Sequence, residues 1–170
     1  MKKIFLCVAL VAVSFMFSCR GPQGPAGQNG NANVASSTVT VNPSDWYWDN
    51  NTSWRVDIDY DAITTDITDF GAVLVYMSNN GTWRQLPMTF YYSTVDQQTG
   101  VESFFSSSLE VSSYDKGVSI FWTENDFYNG YRPEQHDFKI VVIAAGLYNS
   151  RPDVDYSDYN QVKQAFQLAD

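Results

Sequence analysis

The side chains best suited to catalysis are scarce in this sequence. Its 170 residues include a single histidine, His136, and two cysteines, Cys7 and Cys19. A site that needs several histidine ligands for a metal therefore cannot be assembled. A serine triad would need His136 as its base, yet this residue lies in a polar stretch and no Gly-x-Ser-x-Gly motif is present. We expect no catalytic residue and interpret His136 as a solvated loop side chain.

Acidic residues are abundant, and carboxylate pairs can hydrolyse glycosidic bonds. The glutamates are Glu102, Glu110, Glu124 and Glu134, none of which belongs to a recognisable motif. A glycosidase mechanism depends on the distance between its two carboxyl groups, and spacing along the chain does not supply that distance. The sequence therefore indicates no hydrolytic pair, and we expect a protein that is not an enzyme.

Two clusters of aspartates have the ligand type that calcium prefers. They are Asp57, Asp59 and Asp61, and Asp153, Asp155 and Asp158. Calcium takes six to eight oxygens from a flexible loop, which favours the second cluster. An EF-hand loop would need glycine and glutamate where this chain has Asp158 and Gln164. The second cluster is a candidate calcium site; the alternatives are a helix-capping turn for it and a solvated strand face for the first.

Aromatic side chains make up 16% of the chain, and some of them lie in polar, loop-like segments. These are Trp46, Trp48, Phe127, Tyr128 and Tyr131. Aromatic faces beside Asp, Asn and Gln are typical of sugar-binding sites, where a ring stacks on the apolar face of a pyranose. The set is thus a candidate glycan-binding site if the rings are exposed. The alternative is that they cover the ends of the domain and fill its edges.

The start of the chain has the pattern of an export signal. Lys2 and Lys3 precede an apolar run over residues 4–17, which is too short for a permanent membrane span. The run ends in Met16-Phe17-Ser18-Cys19, which resembles the lipobox of bacterial lipoproteins. That resemblance implies cleavage after residue 18 and attachment of diacylglycerol to the Cys19 thiol. Two or three acyl chains anchor a protein stably where one does not.

Loss of the leader changes the composition of the mature chain. Cys7 is removed, which leaves no thiol for an internal disulfide. Removal of Lys2 and Lys3 lowers the basic residues from 10 to 8 against 19 acidic ones, so the formal charge falls from −9 to −11. This charge disfavours nucleic acid as a partner. The expected partners are the membrane, through the lipid, and an unknown protein or glycan.

A short glycine-rich segment, residues 19–33, follows the predicted lipid site. Gly21, Gly24, Gly27 and Gly30 begin four consecutive Gly-X-Y triplets, the repeat of collagen. A triple-helical stalk is one interpretation. We favour a polar, extended tether, because four triplets bury too little to offset the ordering of three chains. An acidic run after the cysteine would resemble the surface-export signal of some bacterial lipoproteins, and none follows Cys19. That comparison implies an outer-membrane location facing the periplasm rather than the cell surface.

The folded domain is expected over residues 34–170 and reads mostly as β-strand. Apolar residues alternate with polar ones around Val39, around Val56 and along residues 101–111, where Phe105, Ser107 and Leu109 share one face. Residues 72–77 and 138–145 are apolar on both faces, as central strands are. We predict an antiparallel two-sheet sandwich of about seven or eight strands.

Turn and helix signals complete this prediction. Tight or looser hairpins are expected at residues 79–81, 96–100 and 115–117, and Pro87 should mark an edge, a bulge or a bend. One C-terminal helix is expected, capped by Ser157 or Asp158 with Gln161 in the capping-box position behind Asp158. The apolar stripe of this helix consists of Tyr159, Val162, Ala165 and Phe166. We expect that stripe to pack on the sandwich.

Five segments together resemble uncharacterised gram-negative envelope lipoproteins that have a short collagen-like leader and a β-sandwich domain. They are Cys19 with the triplets that follow, residues 67–76, residues 83–87, residues 139–143 and residues 159–162. The resemblance implies a lipid-anchored topology and assigns no activity. We therefore predict a non-catalytic envelope lipoprotein with a structural or partner-binding domain; the alternative is a carbohydrate-binding lipoprotein.

Overall fold

Nine antiparallel strands form in the described part of the chain, several of them where the sequence alternates between apolar and polar residues. The structure, a computed structural model, describes residues 33–130 and 132–168. In that part of the chain the strands are β1 (Val34–Val41), β2 (Tyr47–Asp49), β3 (Ser53–Asp59), β4 (Ala72–Asn79), β5 (Thr82–Gln85), β6 (Met88–Val95), β7 (Glu102–Tyr114), β8 (Gly117–Glu124) and β9 (His136–Ile143). The predicted sandwich is confirmed. The prediction of seven or eight strands did not include β2, whose three residues are too few to show alternation.

The strands form two sheets that pack face to face. The first sheet has the order β1-β9-β4-β5, and the second has the order β2-β3-β8-β7-β6. All neighbouring strands run antiparallel. The chain passes from the first sheet to the second between β5 and β6, where Pro87 lies. Of the alternatives predicted at Pro87, an edge, a bulge or a bend, the structure shows a bend at which the chain changes sheet.

The predicted hairpins are confirmed, and their backbone angles explain the residue types. Asn80 and Gly81 connect β4 to β5 with φ values of 50° and 77°. Positive φ values at both positions let a two-residue hairpin turn match the right-handed twist of the flanking strands. Asp115 and Lys116 connect β7 to β8. In the wider loop between β6 and β7, Asp96 Oδ1 accepts hydrogen bonds from the backbone N–H groups of Gln98 and Thr99.

The main core lies between the two sheets. Val75, Met77, Phe138 and Ile140 face inwards from the first sheet and are almost completely buried. The second sheet contributes one side of its alternating strands: Val56, Ile58, Leu109, Val118 and Ile120. Period-two alternation therefore identified the inward faces of β3 and β7.

The first sheet is covered on its outer face as well. Three helices occur in the described residues: α1 (Thr65–Phe70), α2 (Ala145–Asn149) and α3 (Tyr159–Phe166). Val162 and Phe166 of α3 pack with Leu74 and Tyr76 of β4 and Val141 of β9 in a second apolar cluster. This third layer explains why β4 and β9 are apolar on both faces.

The N-terminus of α3 is capped as its sequence predicts. The Asp158 side chain accepts a hydrogen bond of 2.9 Å from the Asn160 N–H. The side-chain oxygen of Gln161 accepts a hydrogen bond from the Asp155 N–H instead of the Asp158 N–H, so the capping box is not reciprocal. The predicted packing of the helix stripe on the sandwich is confirmed, because Tyr159, Val162 and Phe166 are buried.

The predicted signal, Cys19 and the tether up to residue 32 lie outside the described residues. Within the described part of the chain, no helix combines the length and the apolar character needed to cross a membrane.

Candidate ligand-binding cleft

A two-lobed cleft opens at the end of the sandwich where β4 ends and β9 begins. Its inner lobe has a volume of about 660 Å³ and is lined by Met77, Ser78, Asn79, Phe90, Tyr92, Ser107, Trp122, Glu124, Glu134 and His136. Its outer lobe has a volume of about 390 Å³ and is lined by Tyr92, Thr94, Phe105, Glu124, Asp126 and Tyr128. Because Tyr92 and Glu124 line both lobes, they mark the junction between them.

The floor of the cleft consists of side chains from β6, β7 and β8, and the pairing of these strands determines which of them are neighbours. Across β6, β7 and β8, one row of paired residues is Phe90, Ser107 and Glu124, and the next row begins with Tyr92 and Phe105. Phe105 and Ser107 are an even number of positions from the core residue Leu109 of β7, and Glu124 is an even number from Ile120 of β8, so their side chains lie on the inward face of the sheet. Their partners Tyr92 and Phe90 lie on the same face. A small serine between Phe90 and Glu124 leaves the space that a larger side chain would fill.

Aromatic rings form the apolar surface of the cleft. The Tyr92 and Phe105 rings stack with centroids 5.6 Å apart and planes inclined by 21°. In the inner lobe the Trp122 ring stacks on Phe90 at 6.2 Å and on His136 at 5.2 Å. Tyr128 of the outer lobe is 52% exposed. The cleft therefore offers flat apolar faces that open to solvent.

Glu124 is held rigidly at the junction of the lobes. The Tyr92 hydroxyl donates to Oε2 at 2.7 Å, and the Trp122 Nε1–H donates to Oε1 at 2.8 Å. The Ser107 hydroxyl lies 2.9 Å from Oε1 and 2.8 Å from Oε2. Burial raises the pKa of Tyr92, and its hydrogen bond to Glu124 adds to that rise, so the phenol remains a donor at neutral pH.

The charge of this carboxylate is not neutralised by a neighbouring cation. Among the described residues, the ion pairs are formed by Arg55 and Arg151, and none of them includes Glu124. Asp126 and Glu134 add two further carboxylates to the lining. The cleft therefore combines aromatic faces with an excess of negative charge.

His136 is not the solvated loop residue that the sequence analysis predicted. It is the first residue of β9, it is half-buried, and its ring stacks on Trp122. Burial lowers its pKa, although Glu134 and Asp137 act in the opposite direction. The ring is therefore neutral at neutral pH. The prediction was wrong because a polar stretch ends directly at the strand, which brings the ring into the cleft.

The predicted aromatic set is only partly brought together. Trp46 is 1% exposed and contacts Trp122 edge-on in the core, so its place in an exposed glycan-binding set is wrong. Trp48 is half-buried against Trp54, away from the cleft lining. Phe127 is 56% exposed without lining the cleft, Tyr128 lines the outer lobe, and Tyr131 lies outside the described residues. Of the described members of this set, only Tyr128 lines the cleft.

The candidate calcium cluster is used for local hydrogen bonds. Asp153 pairs with Arg151 at 3.1 Å, Asp155 accepts from the N–H and hydroxyl of Ser157, and Asp158 caps α3. These bonds hold the pKa values of Asp153 and Asp155 below the ordinary value. No group of three or more acidic, histidine or cysteine side chains suited to a metal occurs in residues 33–130 and 132–168. The geometry gives the calcium prediction no support.

In the other aspartate cluster, Asp57 and Asp59 lie on β3, and Asp61 follows the end of that strand. Asp57 accepts hydrogen bonds from Tyr47, Arg55 and Ser119 on the outer face of the second sheet. Burial raises the Asp57 pKa, but these three donors outweigh burial and hold it below its ordinary value. Burial and the bond to Asp57 raise the pKa of Tyr47 to about 12. This network joins β2, β3 and β8 and has a structural role.

Sequence reasoning missed the residues that define the cleft: Phe90, Tyr92, Phe105, Ser107, Trp122 and Glu124. The alternation of residues 101–111 already placed Phe105 and Ser107 on one face. Pairing that face with β6 and β8 would have been needed to identify Glu124.

Comparison of the chain with known protein families, with curated protein sequences and with solved structures gave no match. Its function is therefore argued from the cleft and from the sequence.

Proposed function

We propose that this chain is a non-catalytic, lipid-anchored module of the bacterial cell envelope that binds a saccharide in the cleft. The observation that carries the proposal is the stacked pair of Tyr92 and Phe105 beside the fixed carboxylate of Glu124. Pyranose rings have an apolar face that stacks on aromatic side chains and hydroxyl groups that donate to carboxylates. Both features are present at the junction of the lobes.

The lining beyond this pair suits the same ligand class. Ser78, Asn79 and Thr94 add short hydroxyl and amide side chains that can donate and accept hydrogen bonds. Sugar hydroxyls need both kinds of partner. The two lobes, which share Tyr92 and Glu124, provide space for more than one sugar ring.

Membrane attachment through Cys19 is the second part of the proposal. The leader of residues 1–18 and the lipobox-like end at Cys19 support it. The lipid then lies in the outer membrane, and the Gly-X-Y tether separates the domain from that membrane on its periplasmic side. Mass spectrometry of the native protein should show a chain that begins at a lipidated Cys19. Protection from protease in intact cells should identify the periplasmic side, whereas an unmodified chain that begins at Met1 would contradict the anchor.

Saccharide binding is tested on the mature chain, residues 19–170, with Cys19→Ser to prevent lipidation. An array of oligosaccharides should identify ligands, and Tyr92→Ala should weaken their binding by about tenfold or more, because it removes a stacking face. Tyr91→Ala is the matched control: Tyr91 is the neighbouring residue, is 84% exposed and does not line the cleft. Equal effects of the two substitutions would contradict the proposal.

The non-catalytic part has its own test. Glu124 and Glu134 both line the inner lobe, so each oligosaccharide that binds should be incubated with the protein and its length followed by mass spectrometry. We expect no shortening. Hydrolysis that is lost in Glu124→Gln would instead indicate a glycosidase.

A protein partner is a second candidate, favoured by an exposed aromatic surface on the opposite face of the same hairpin. Tyr91 of β6 and Phe104 of β7 are 84% and 74% exposed, and β6 is the edge strand of its sheet. Exposed apolar patches and edge strands are typical of interaction sites. A photo-crosslinking residue at position 91 should give a defined adduct in cells, and one at position 110 should not. Identical products at the two positions would contradict this candidate.

A further inference from the structure

We infer that the saccharide bound in the cleft carries a protonated amino group and that Glu124 is the residue that selects it. This inference rests on the proposed saccharide function and names the class of sugar. Its basis is the number of donors that Glu124 receives, the charge around it and the rings on either side.

Glu124 has one free acceptor position that a ligand can use. A carboxylate has about four lone-pair sites. Three side chains donate to this one: Tyr92, Ser107 and Trp122, each through a single hydrogen. These donors fix the orientation of the carboxylate before any ligand arrives, which lowers the cost of binding. About one acceptor site therefore remains on a carboxylate that lines both lobes.

The donors are neutral, so they leave the charge of Glu124 uncompensated. No lysine or arginine of the described residues forms an ion pair with it, and the neighbouring His136 has a lowered pKa and is neutral at neutral pH. Asp126 and Glu134 add further negative charge to the lining. A ligand that brings a positive charge therefore gains more here than a neutral one, and an acidic sugar is repelled.

Aromatic faces add to this selection. Tyr92 donates to Glu124 with its hydroxyl, while its ring, which is 43% exposed, lines the cleft next to the carboxylate. Cations are attracted to the faces of such rings. An amino sugar combines an apolar ring face with an ammonium group, so it matches both the stacked rings and the carboxylate.

The test compares three β-1,4-linked oligomers of equal length, made of glucose, N-acetylglucosamine or glucosamine. They share one backbone and differ in the group at C2, which is hydroxyl, acetamide or amine. Calorimetry with the mature Cys19→Ser chain at about pH 6 keeps the amines largely protonated. We expect the glucosamine oligomer to bind at least about tenfold more tightly than the other two. Added salt should reduce that preference.

Two variants assign the preference to one carboxylate. Glu124→Gln keeps the shape of the side chain and removes its charge, so the glucosamine oligomer should lose its advantage over the glucose oligomer. Glu110→Gln is the control, because it removes one negative charge from an exposed position of β7 that does not line the cleft. It should leave the preference unchanged, and far-UV circular dichroism should be the same for both variants and the parent chain.

The outcomes separate this inference from the proposed function. Equal binding of the three oligomers would overturn the inference and leave saccharide binding intact. A preference that persists in Glu124→Gln would also overturn it, because the charge would then act from elsewhere. Failure of every saccharide to bind would overturn both.

Discussion

Two regions of this domain each surround a charged side chain with aromatic rings, and they use it differently. In the closed region under α3, Lys139 is 5% exposed, and its Nζ donates to the Tyr159 hydroxyl at 2.9 Å. The same Nζ lies 5.0 Å from the Trp83 ring centroid and 4.8 Å from that of Tyr159. In the open cleft, Glu124 receives three neutral donors beside rings that solvent reaches.

The difference shows which charge is available to a ligand. Lys139 is enclosed by the rings of Trp83 and Tyr159, which also pack on each other with centroids 5.9 Å apart. A cation enclosed in this way stabilises the contact between β9 and α3. Glu124 has the opposite charge, and within residues 33–130 and 132–168 no lysine or arginine forms an ion pair with it. A charge that is oriented, partly exposed and unpaired is suited to binding, whereas an enclosed one is suited to structure.

Removing the ring that closes the first region should have the largest effect. Tyr159 contacts Tyr76 at 5.3 Å, Trp83 at 5.9 Å and the Lys139 ammonium. Tyr159→Ala should therefore lower the free energy of unfolding by about 3–5 kcal/mol. Urea denaturation followed by circular dichroism measures this, with Tyr91→Ala as an exposed control within about 0.5 kcal/mol of the parent. A small effect of Tyr159→Ala would mean that α3 contributes little to stability.

Neutralising each charge with the same residue sharpens the comparison. Lys139→Gln should lower the free energy of unfolding by about 1–3 kcal/mol, because it places an amide without suitable partners in a buried site. Glu124→Gln should cost less than about 1 kcal/mol, because this side chain is partly exposed and the amide oxygen of its replacement can still accept hydrogen bonds. Urea denaturation of both variants gives the two values. The reverse order would show that Glu124, rather than Lys139, is structural.

The capping residue of α3 gives a smaller effect in the closed region. Asp158 accepts a hydrogen bond from the Asn160 N–H and a longer one from Gln161. Asp158→Ala should lower the free energy of unfolding by about 1 kcal/mol, and Asp158→Asn should lower it less, since asparagine also caps helices. Thermal melts compare the two variants. Equal losses would argue that charge, rather than the cap hydrogen bond, is what Asp158 contributes.

The smallest effect concerns the pH dependence of the open region. Because burial lowers the pKa of His136, the unfolded chain takes up its proton at a higher pH than the folded one. The free energy of unfolding should therefore fall as the pH decreases through the unfolded value of about 6.5 towards the folded value. Between pH 5 and pH 7 (approximate limits), His136→Gln should show a weaker fall. The carboxylates with lowered pKa values titrate at lower pH and should not interfere.

Much of the fold was predictable because it depends on neighbouring residues. Alternation identified the inward faces of β3 and β7, turn residues identified the hairpin at Asn80-Gly81, and Asp158 was recognised as a cap. The short β2 strand escaped notice, because three residues show no period and its pairing with β3 supplies the hydrogen bonds.

The site was less predictable, because exposure depends on which elements cover a residue. Trp46 and Tyr128 both lie in polar segments, yet one is in the core and the other lines the cleft. His136 follows a polar stretch but stacks on Trp122 of the other sheet. Neither difference has a signal in the local sequence.

By itself the sequence determined most of the strands, most turns, the capped helix and the two-sided apolar character of β4 and β9, because these follow from periodicity and local hydrogen bonding. It also predicted the lipid anchor at Cys19. Only the tertiary structure decided that Ser107 lies opposite Glu124 and that Tyr92 and Trp122 reach the same carboxylate. The physical reason is that register and sheet packing join residues far apart in the chain, and no local propensity specifies that pairing.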